Sequence, residues 1–518
     1  MVSQLCWGCL STTGLRQTSR ALLHPQYRQL AAKTTTSLFS TSAIQYANPL
    51  QKKSRSMEGS PKFRESKSAR MRKPKKATTD RGRPPLVGER KALRKRIVLS
   101  NTNALEVPGM QEFSEETMVD SRIRGSVLAL PVPMITQLRA LQAFKPSQGW
   151  SLFRRPGVVL RRETLEMGRV FEGISTEGPE KGKVVKKILT GKKASGKSVH
   201  LLQAMAMALL KKWVVISVPE PQDLVIAQTA YAPIPDTNPV QYVQEQATSE
   251  LLQRTVLANE EVLSKLHVAL EHPELKSLIR PKMTLDELAR LGIQDVTISW
   301  PVFQAFWAEL NATAPPTKDT DDKAKSSFEP RPPVLVTVDG LSHWMQDSKY
   351  RNADFKPIHA HDLAFVKHFL SLLQPASSNN NNNKPQLPNG GILLYATSGS
   401  NNPSVPSFDI ALDQLAARQQ GIAESSADFP EPDPYAKIDN RVLNLFKQAS
   451  TSKSSSLELQ TLGGLSRSEA RGFMEYFARS GILQEKITEE WVSEKWSIAG
   501  GGIIGEMEKL GKRLRTVL

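Results

Sequence analysis

One octapeptide restricts the folds open to this chain more than any other segment. Residues 191–198 read Gly-Lys-Lys-Ala-Ser-Gly-Lys-Ser, a glycine and four spacer residues followed by Gly-Lys-Ser. This spacing suits phosphate binding, because glycines let backbone amides curl around phosphate oxygens, the lysine reaches the β- and γ-phosphates, and the hydroxyl ligates Mg²⁺. The motif predicts a nucleotide-binding loop that opens a helix, whose N-terminus also favours anions.

The flanking residues supply the structural context that such a loop needs. The segment "KVVKKILT" before it and "WVVISVP" at 213–219 indicate strands, and apolar residues at spacings of three and four predict a helix over 197–212. Further strands are expected in "VLVTVDG" at 334–340 and "ILLYATS" at 392–398. The predicted fold is therefore α/β, with a P-loop NTPase-type parallel sheet flanked by helices.

The motif and the ends of two predicted strands indicate the site residues. Asp339 ends a predicted strand, where an acid is expected to hold magnesium through water, so Ser198 and Asp339 are the predicted metal ligands. Thr397 and Ser398 end the following strand and either sense the γ-phosphate or only cap the turn. The predicted nucleotide-binding residues are Gly191, Lys192, Lys193, Ala194, Ser195, Gly196, Lys197, Ser198 and Thr397.

The residue after Asp339 argues against fast hydrolysis. Many ATPase motors place a glutamate there to polarise the attacking water, whereas this chain has Gly340. Asp347 and His343 are possible substitutes, but neither has the position expected of a general base. Nucleotide binding is therefore expected, with at most slow turnover. Neither N-K-x-D nor T-K-x-D occurs, so the residues alone leave GTP, GDP and ATP open.

The charge of the chain is concentrated at its N-terminus. Residues 1–100 hold 22 Lys and Arg and only four acids, which accounts for the whole net charge of +18. The first 57 residues contain no acid and read as a mitochondrial presequence, with removal expected near Tyr46. The rest of this region predicts a disordered arm that contacts nucleic acid, with a solvated linker as the alternative. Cys6 and Cys9 fall inside the presequence, so neither a redox nor a zinc motif is assigned to them.

Composition and turn signals divide the chain into four parts. They are the presequence at 1–46, the basic arm at 47–100, the nucleotide-binding domain at 101–430, and a C-terminal helical or winged-helix-like domain at 431–518. Proline-rich and Asn-rich stretches at 314–333 and 375–390 predict mobile insertions. Ser466 and Glu469 have capping-box spacing at the start of a C-terminal helix. No apolar run approaches the roughly 20 residues of a membrane span.

Two other groups of residues have types that suggest metal binding or nucleotide contact. His359 and His361 resemble half a metal site, but without further ligands they are read as satisfied surface histidines. Arg467 and Arg471 are candidates for a lid arginine if the C-terminal helices close over a nucleotide. The prediction of the functional site rests on the loop and not on either of these groups.

These pieces together resemble the death-associated protein 3 family. The resemblance rests on "GKKASGKS", on "VLVTVDG" followed by "LSHWMQDSKYR", on "YAPIPDTNPVQYVQEQATSELLQRTVLAN", and on "EYFARSGIL" with "EKWSIAGGG" in the tail. It covers about residues 120–518. It implies a protein of the small subunit of the mitochondrial ribosome, in the matrix, that binds GTP or GDP with Mg²⁺ and contacts ribosomal RNA, neighbouring proteins and the large subunit.

Three functions remain as hypotheses at this point. The first is a structural ribosomal protein that contributes to mitochondrial translation and holds a slowly turned-over nucleotide. The second is an AAA-like or signal-transducing ATPase of the mitochondrion. The third is a regulator that binds nucleic acid through its C-terminal region.

Overall fold

The computed structural model describes residues 97–175, 182–313, 328–374, 387–399, 401–450 and 457–512. All of them belong to one compact unit, Gly88–Leu518. The predicted presequence and all of the basic arm before residue 97 lie outside the described residues. So do most of the two predicted insertions, of which only 328–333 and 387–390 are described.

A five-stranded parallel sheet forms the centre of the described structure. Its strands are β3 (Val184–Thr190), β4 (Val214–Val218), β7 (Val334–Asp339), β10 (Gly391–Ala396) and β11 (Leu457–Thr461). They lie in the order β11-β3-β10-β7-β4, and every neighbouring pair is parallel. β3 and β7 are therefore separated by β10. The predicted parallel α/β sheet is confirmed.

Six further strands pair in three small antiparallel sheets. They are β1 (Val127–Ala129) with β2 (Gly157–Val159), β5 (Ala232–Pro233) with β6 (Tyr242–Val243), and β8 (Asp347–Arg351) with β9 (Pro357–His359).

Helices cover both faces of the central sheet. They are α1 (Val132–Ala140), α2 (Arg162–Ser175), α3 (Lys197–Leu210), α4 (Glu245–Leu263), α5 (Leu285–Gln294), α6 (Ser299–Leu310), α7 (Ala364–Ser371), α8 (Pro406–Gln419), α9 (Asn440–Ser450), α10 (Arg467–Arg479), α11 (Glu489–Ile498) and α12 (Ile504–Gly511). Alternate strand residues point to opposite faces: Val214 and Ile216 pack into a core with α4–α9, whereas Val215 packs into a core with α1–α3. Strands covered on both faces explain the nearly continuous apolar runs in the sequence.

The C-terminal region is built into this body. β11 forms the edge of the central sheet beside β3, although the sequence predicted a separate helical or winged-helix-like domain there and no strand of the central sheet. Helices α10–α12 pack with Phe153 and Val159 in a third core. The helices expected in this region are present, and the capping box of Ser466 and Glu469 is confirmed.

Two local features differ from what the sequence predicts. The spacing of Thr284 and Glu287 predicts a capping box, and Gly292 predicts the end of the same helix; the capping box starts α5, but the helix continues to Gln294. Gly292 lies where an added Cβ would approach Leu252 and Val302, so close helix packing explains it. The described end of the first insertion is also packed, since Arg331 is buried against Glu309 at 2.9 Å.

Candidate nucleotide site

The glycine loop connects β3 to α3 at the carboxyl edge of the sheet. Gly191 (φ 135°) and Gly196 (φ 97°) adopt backbone conformations that favour glycine, and Ala194 is also left-handed at φ 64°. A Cβ at Gly191 would lie 2.4 Å from the carbonyl oxygen of Leu462, so only glycine fits at this position. The loop thus has the tight curvature and the helix N-terminus that phosphate binding requires.

Lys197 is held within the loop. Its Nζ donates to the carbonyl oxygens of Gly191 at 2.7 Å and Lys192 at 3.2 Å, and burial lowers its pKa while Asp339 acts in the opposite direction. The strand end after β10 passes alongside, because a Cβ at Gly399 would lie 3.3 Å from the same Nζ. The Oγ of Ser195 is buried and has no hydrogen-bond partner among the described residues. These donors fit a phosphate group.

Ser198 and Asp339, the predicted metal ligands, are in contact. The Ser198 hydroxyl donates to Oδ1 of Asp339 at 3.1 Å, although Ser198 follows β3 and Asp339 ends β7, two strands that are not neighbours in the sheet. Both lie where a phosphate-bound Mg²⁺ is expected. In the described part of the chain no cluster of three His, Cys, Asp or Glu side chains can hold a metal.

The strand ends beside the loop hold the remaining candidates. The amide of Thr397 donates to the carbonyl of Leu189 at 2.9 Å, which extends the pairing of β10 with β3 to the edge next to the loop. Ser398 donates its amide to Oγ of Ser342 at 3.3 Å. His343 lies in the turn after Gly340 and is buried, which lowers its pKa, while Asp347 begins β8 and is exposed.

Comparison with known proteins decides the family. Residues 158–510 match the family described as mitochondrial ribosomal death-associated protein 3. This chain belongs to that family. A relative from Neurospora crassa, the small ribosomal subunit protein mS29, is 40% identical over 436 residues, which is 84% of each chain. The mitochondrial ribosomal location predicted from the sequence is confirmed.

Within the region that matches the family, Arg161 contacts the loop, and sequence reasoning missed this residue. Arg161 is buried, and its Nη1 donates to the carbonyl of Ser195 at 2.8 Å while Nη2 donates to that of Gly463 at 3.0 Å. It therefore ties the phosphate loop to the segment after β11. The sequence gives only a faint signal, an arginine pair at 161–162 that directly follows an apolar run.

The C-terminal helices contact the loop directly. The amide of Gly505 in α12 donates to the carbonyl of Ala194 at 3.0 Å, and a Cβ at Gly196 would lie 3.2 Å from Cγ2 of Ile504. The region predicted as a possible lid is therefore in contact with the loop through α12. No sequence motif predicts this contact.

The two candidate lid arginines contact other C-terminal residues instead. Arg467 lies over the Trp496 ring at 5.4 Å, and Arg471 pairs with Glu475 and Glu489. The arginine that the described structure brings to the loop is Arg161.

His359 is buried and His361 is half-buried, and Nε2 of each ring lacks a hydrogen-bond partner among the described residues, so they are not the satisfied surface histidines that the sequence predicted. Nδ1 of His359 accepts the amide of His361 at 3.2 Å, and its Nε2 lies 3.2 Å from Oδ2 of Asp439. Burial lowers the pKa of both histidines. Their arrangement is structural.

None of the helices described here combines the length with the apolarity that crossing a bilayer requires.

Proposed function

We propose that this chain is a structural constituent of the small subunit of the mitochondrial ribosome that holds a guanine nucleotide, GTP or GDP, in its phosphate loop. One observation carries the proposal: the region that matches the ribosomal family contains the complete octapeptide, with Ser198 and Asp339 in contact. The Neurospora crassa relative is named as a protein of the small ribosomal subunit. Through this role the chain contributes to mitochondrial translation.

Different groups of described residues would contact different parts of the nucleotide and its Mg²⁺. Backbone amides of residues 191–198 would surround the phosphates, Lys197 would neutralise them, and Thr397 lies at the strand end beside the loop. Ser198 and Asp339 would hold Mg²⁺, which supplies positive charge that offsets the phosphates. The bound nucleotide would brace the loop, Arg161 and α12 as one unit.

Slow turnover at most is expected at this site. Gly340 supplies no carboxylate beside Asp339, and buried His343 has a lowered pKa. An ATPase is the competing proposal, and it requires brisk phosphate release that Lys197→Ala abolishes. Slow or undetectable release by the wild-type chain contradicts the ATPase.

The partners that we propose are small-subunit ribosomal RNA, neighbouring ribosomal proteins and bridge contacts to the large subunit. The basic residues of 47–100 supply the charge for RNA, because each phosphate that is neutralised releases counterions. Deleting residues 47–96 should lower RNA affinity sharply and reduce its salt dependence. Unchanged affinity would favour the third hypothesis, in which the C-terminal region binds nucleic acid.

The main experiment isolates the particle. The tagged chain should sediment with small ribosomal subunits from mitochondrial lysate, and denaturing that particle should release GTP or GDP. ATP in the released fraction would overturn the choice of base, and sedimentation away from small subunits would overturn the ribosomal assignment.

A pair of lysine variants tests the loop itself. Lys197→Ala should lower nucleotide affinity at least about a hundredfold, since a buried charge-assisted contact is lost. Lys212→Ala, an exposed lysine after the same helix, is the control and should bind like the wild type. Equal affinity of the two variants would contradict phosphate binding by this loop.

A further inference from the structure

A lysine outside the octapeptide reaches the predicted magnesium site. Nζ of Lys145 lies 3.5 Å from Oδ2 of Asp339 and donates to Oε1 of Glu220 at 2.6 Å and to the carbonyl of Pro219. Glu220 follows β4 and Asp339 ends β7, and these strands are neighbours in the sheet. One ammonium group is therefore shared by two carboxylates at the edge that carries the phosphate loop.

The position of Lys145 is fixed by its own segment. The preceding Phe144 is buried and meets Trp150 edge to face, with ring centroids 5.1 Å apart. The amide of Lys145 donates to Oε1 of Gln148 at 2.9 Å. The ammonium also donates hydrogen bonds to two acceptors, Oε1 of Glu220 and the carbonyl of Pro219, so it is held in place by more than its attraction to Asp339.

Lys145 faces the same space as the predicted metal ligands. A small cavity is lined by Lys145, Ser198, Thr337 and Asp339, together with residues of α3 and β4. The side chains of Lys145 and Asp339 are each 15% exposed, so their attraction is screened less than that of a surface pair. Oγ1 of Thr337 is buried without a partner among the described residues, which leaves one more polar atom at this cavity.

We propose that Lys145 is a resident counter-ion of the predicted magnesium site, so that nucleotide binding depends little on a divalent cation. This inference rests on the proposed nucleotide-binding function. Mg²⁺ gives up its water reluctantly and binds where carboxylate charge is available. At this edge the charges of Asp339 and Glu220 are already balanced in part by Lys145. The same ammonium adds positive charge beside the phosphates, which is the electrostatic contribution that Mg²⁺ otherwise makes.

The test measures the affinity of the full chain for GDP by calorimetry, with Mg²⁺ and with EDTA. In the wild type, EDTA should change the Kd by less than about threefold. Lys145→Met should bind GDP more weakly in EDTA and recover with Mg²⁺, a difference of at least about tenfold, since Mg²⁺ then supplies the positive charge that the variant lacks. Mn²⁺ titration of the GDP complex, followed by electron paramagnetic resonance, should show tighter Mn²⁺ binding in the variant.

Lys187→Met is the matched control. Lys187 is also 15% exposed and paired with a glutamate, Glu458 at 3.2 Å, but it contacts neither Asp339 nor Glu220 among its described partners. Its GDP affinity should keep the wild-type response to EDTA.

The outcomes separate this inference from the proposed function. Wild-type GDP binding that falls about threefold or more in EDTA overturns the role of Lys145 while leaving the nucleotide site intact. The absence of GDP, GTP and ATP binding overturns both. The wild-type measurement needs no variant, so it can overturn the role of Lys145 even if Lys145→Met does not fold.

Discussion

Two buried cations contact the glycine loop at 191–198, Lys197 from within it and Arg161 from the residue before α2. The position of Lys197 was predictable because a short motif specifies it. Arg161 was not, since its acceptors, the carbonyls of Ser195 and Gly463, are backbone atoms that only the fold brings together. Lys145 and Glu220 escaped prediction for the same reason.

Arg161→Met should destabilise the protein by about 2–4 kcal/mol, because it leaves two carbonyl acceptors without their partner. It should also weaken nucleotide binding by loosening the loop. The control is Arg162→Met, whose side chain is 70% exposed and pairs with Glu166, because an exposed pair of this kind contributes little to stability. Urea unfolding measures both variants. Equal midpoints for the two would show that Arg161 does not brace the loop.

At the scale of elements, apolar runs predicted four of the five central strands. β3, β4, β7 and β10 are covered on both faces, and that burial produces the signal that the sequence carries. β11 was missed because "LELQT" mixes polar residues into a strand that is buried only at Leu457, whereas β4 at the opposite edge of the sheet is buried throughout. The contact of α12 with the loop was also invisible, since it depends on a backbone amide and on the small size of a glycine.

Gly505→Ala tests whether α12 supports the loop. An added Cβ would lie 2.6 Å from Cβ of Ala194, so the helix must move away and weaken the hydrogen bond to its carbonyl. Alanine favours helices over glycine by about 1 kcal/mol, so any loss reflects the clash. Nucleotide affinity should fall about two- to tenfold, as expected for one hydrogen bond.

Calorimetry of the Gly505 variant needs a nearby glycine as its control. At Gly463 an added Cβ has nothing within 4 Å, so Gly463→Ala should retain wild-type affinity. If Gly505→Ala also binds nucleotide normally, α12 contributes nothing to the loop.

At the scale of the whole molecule, buried histidines link folding to pH. His368 lies against the rings of Phe303 and Trp307, at 5.0 and 4.8 Å between centroids, and burial lowers its pKa to about 4. Burial also lowers the pKa of His200 and His361 to about 3. Unfolding returns each imidazole to an ordinary pKa of about 6.5. Between these values the unfolded chain binds protons that the folded chain does not.

The free energy of unfolding should therefore decrease as pH falls below about 6.5, by up to about 1.4 kcal/mol per pH unit for each buried histidine. Above about pH 6.5 His368 is neutral in both states and does not change the free energy of unfolding. As the pH falls from there to about 4 it lowers this free energy progressively, and below about pH 4 its effect is constant.

His368→Phe keeps an aromatic ring in this cluster and removes the proton site, so the free energy of unfolding should fall less steeply with decreasing pH, by about 1.4 kcal/mol per pH unit. Urea midpoints of the wild type and this variant between about pH 4.5 and 7, roughly the range in which His368 titrates, measure the slopes. Parallel slopes for the wild type and His368→Phe would contradict a neutral histidine in this core.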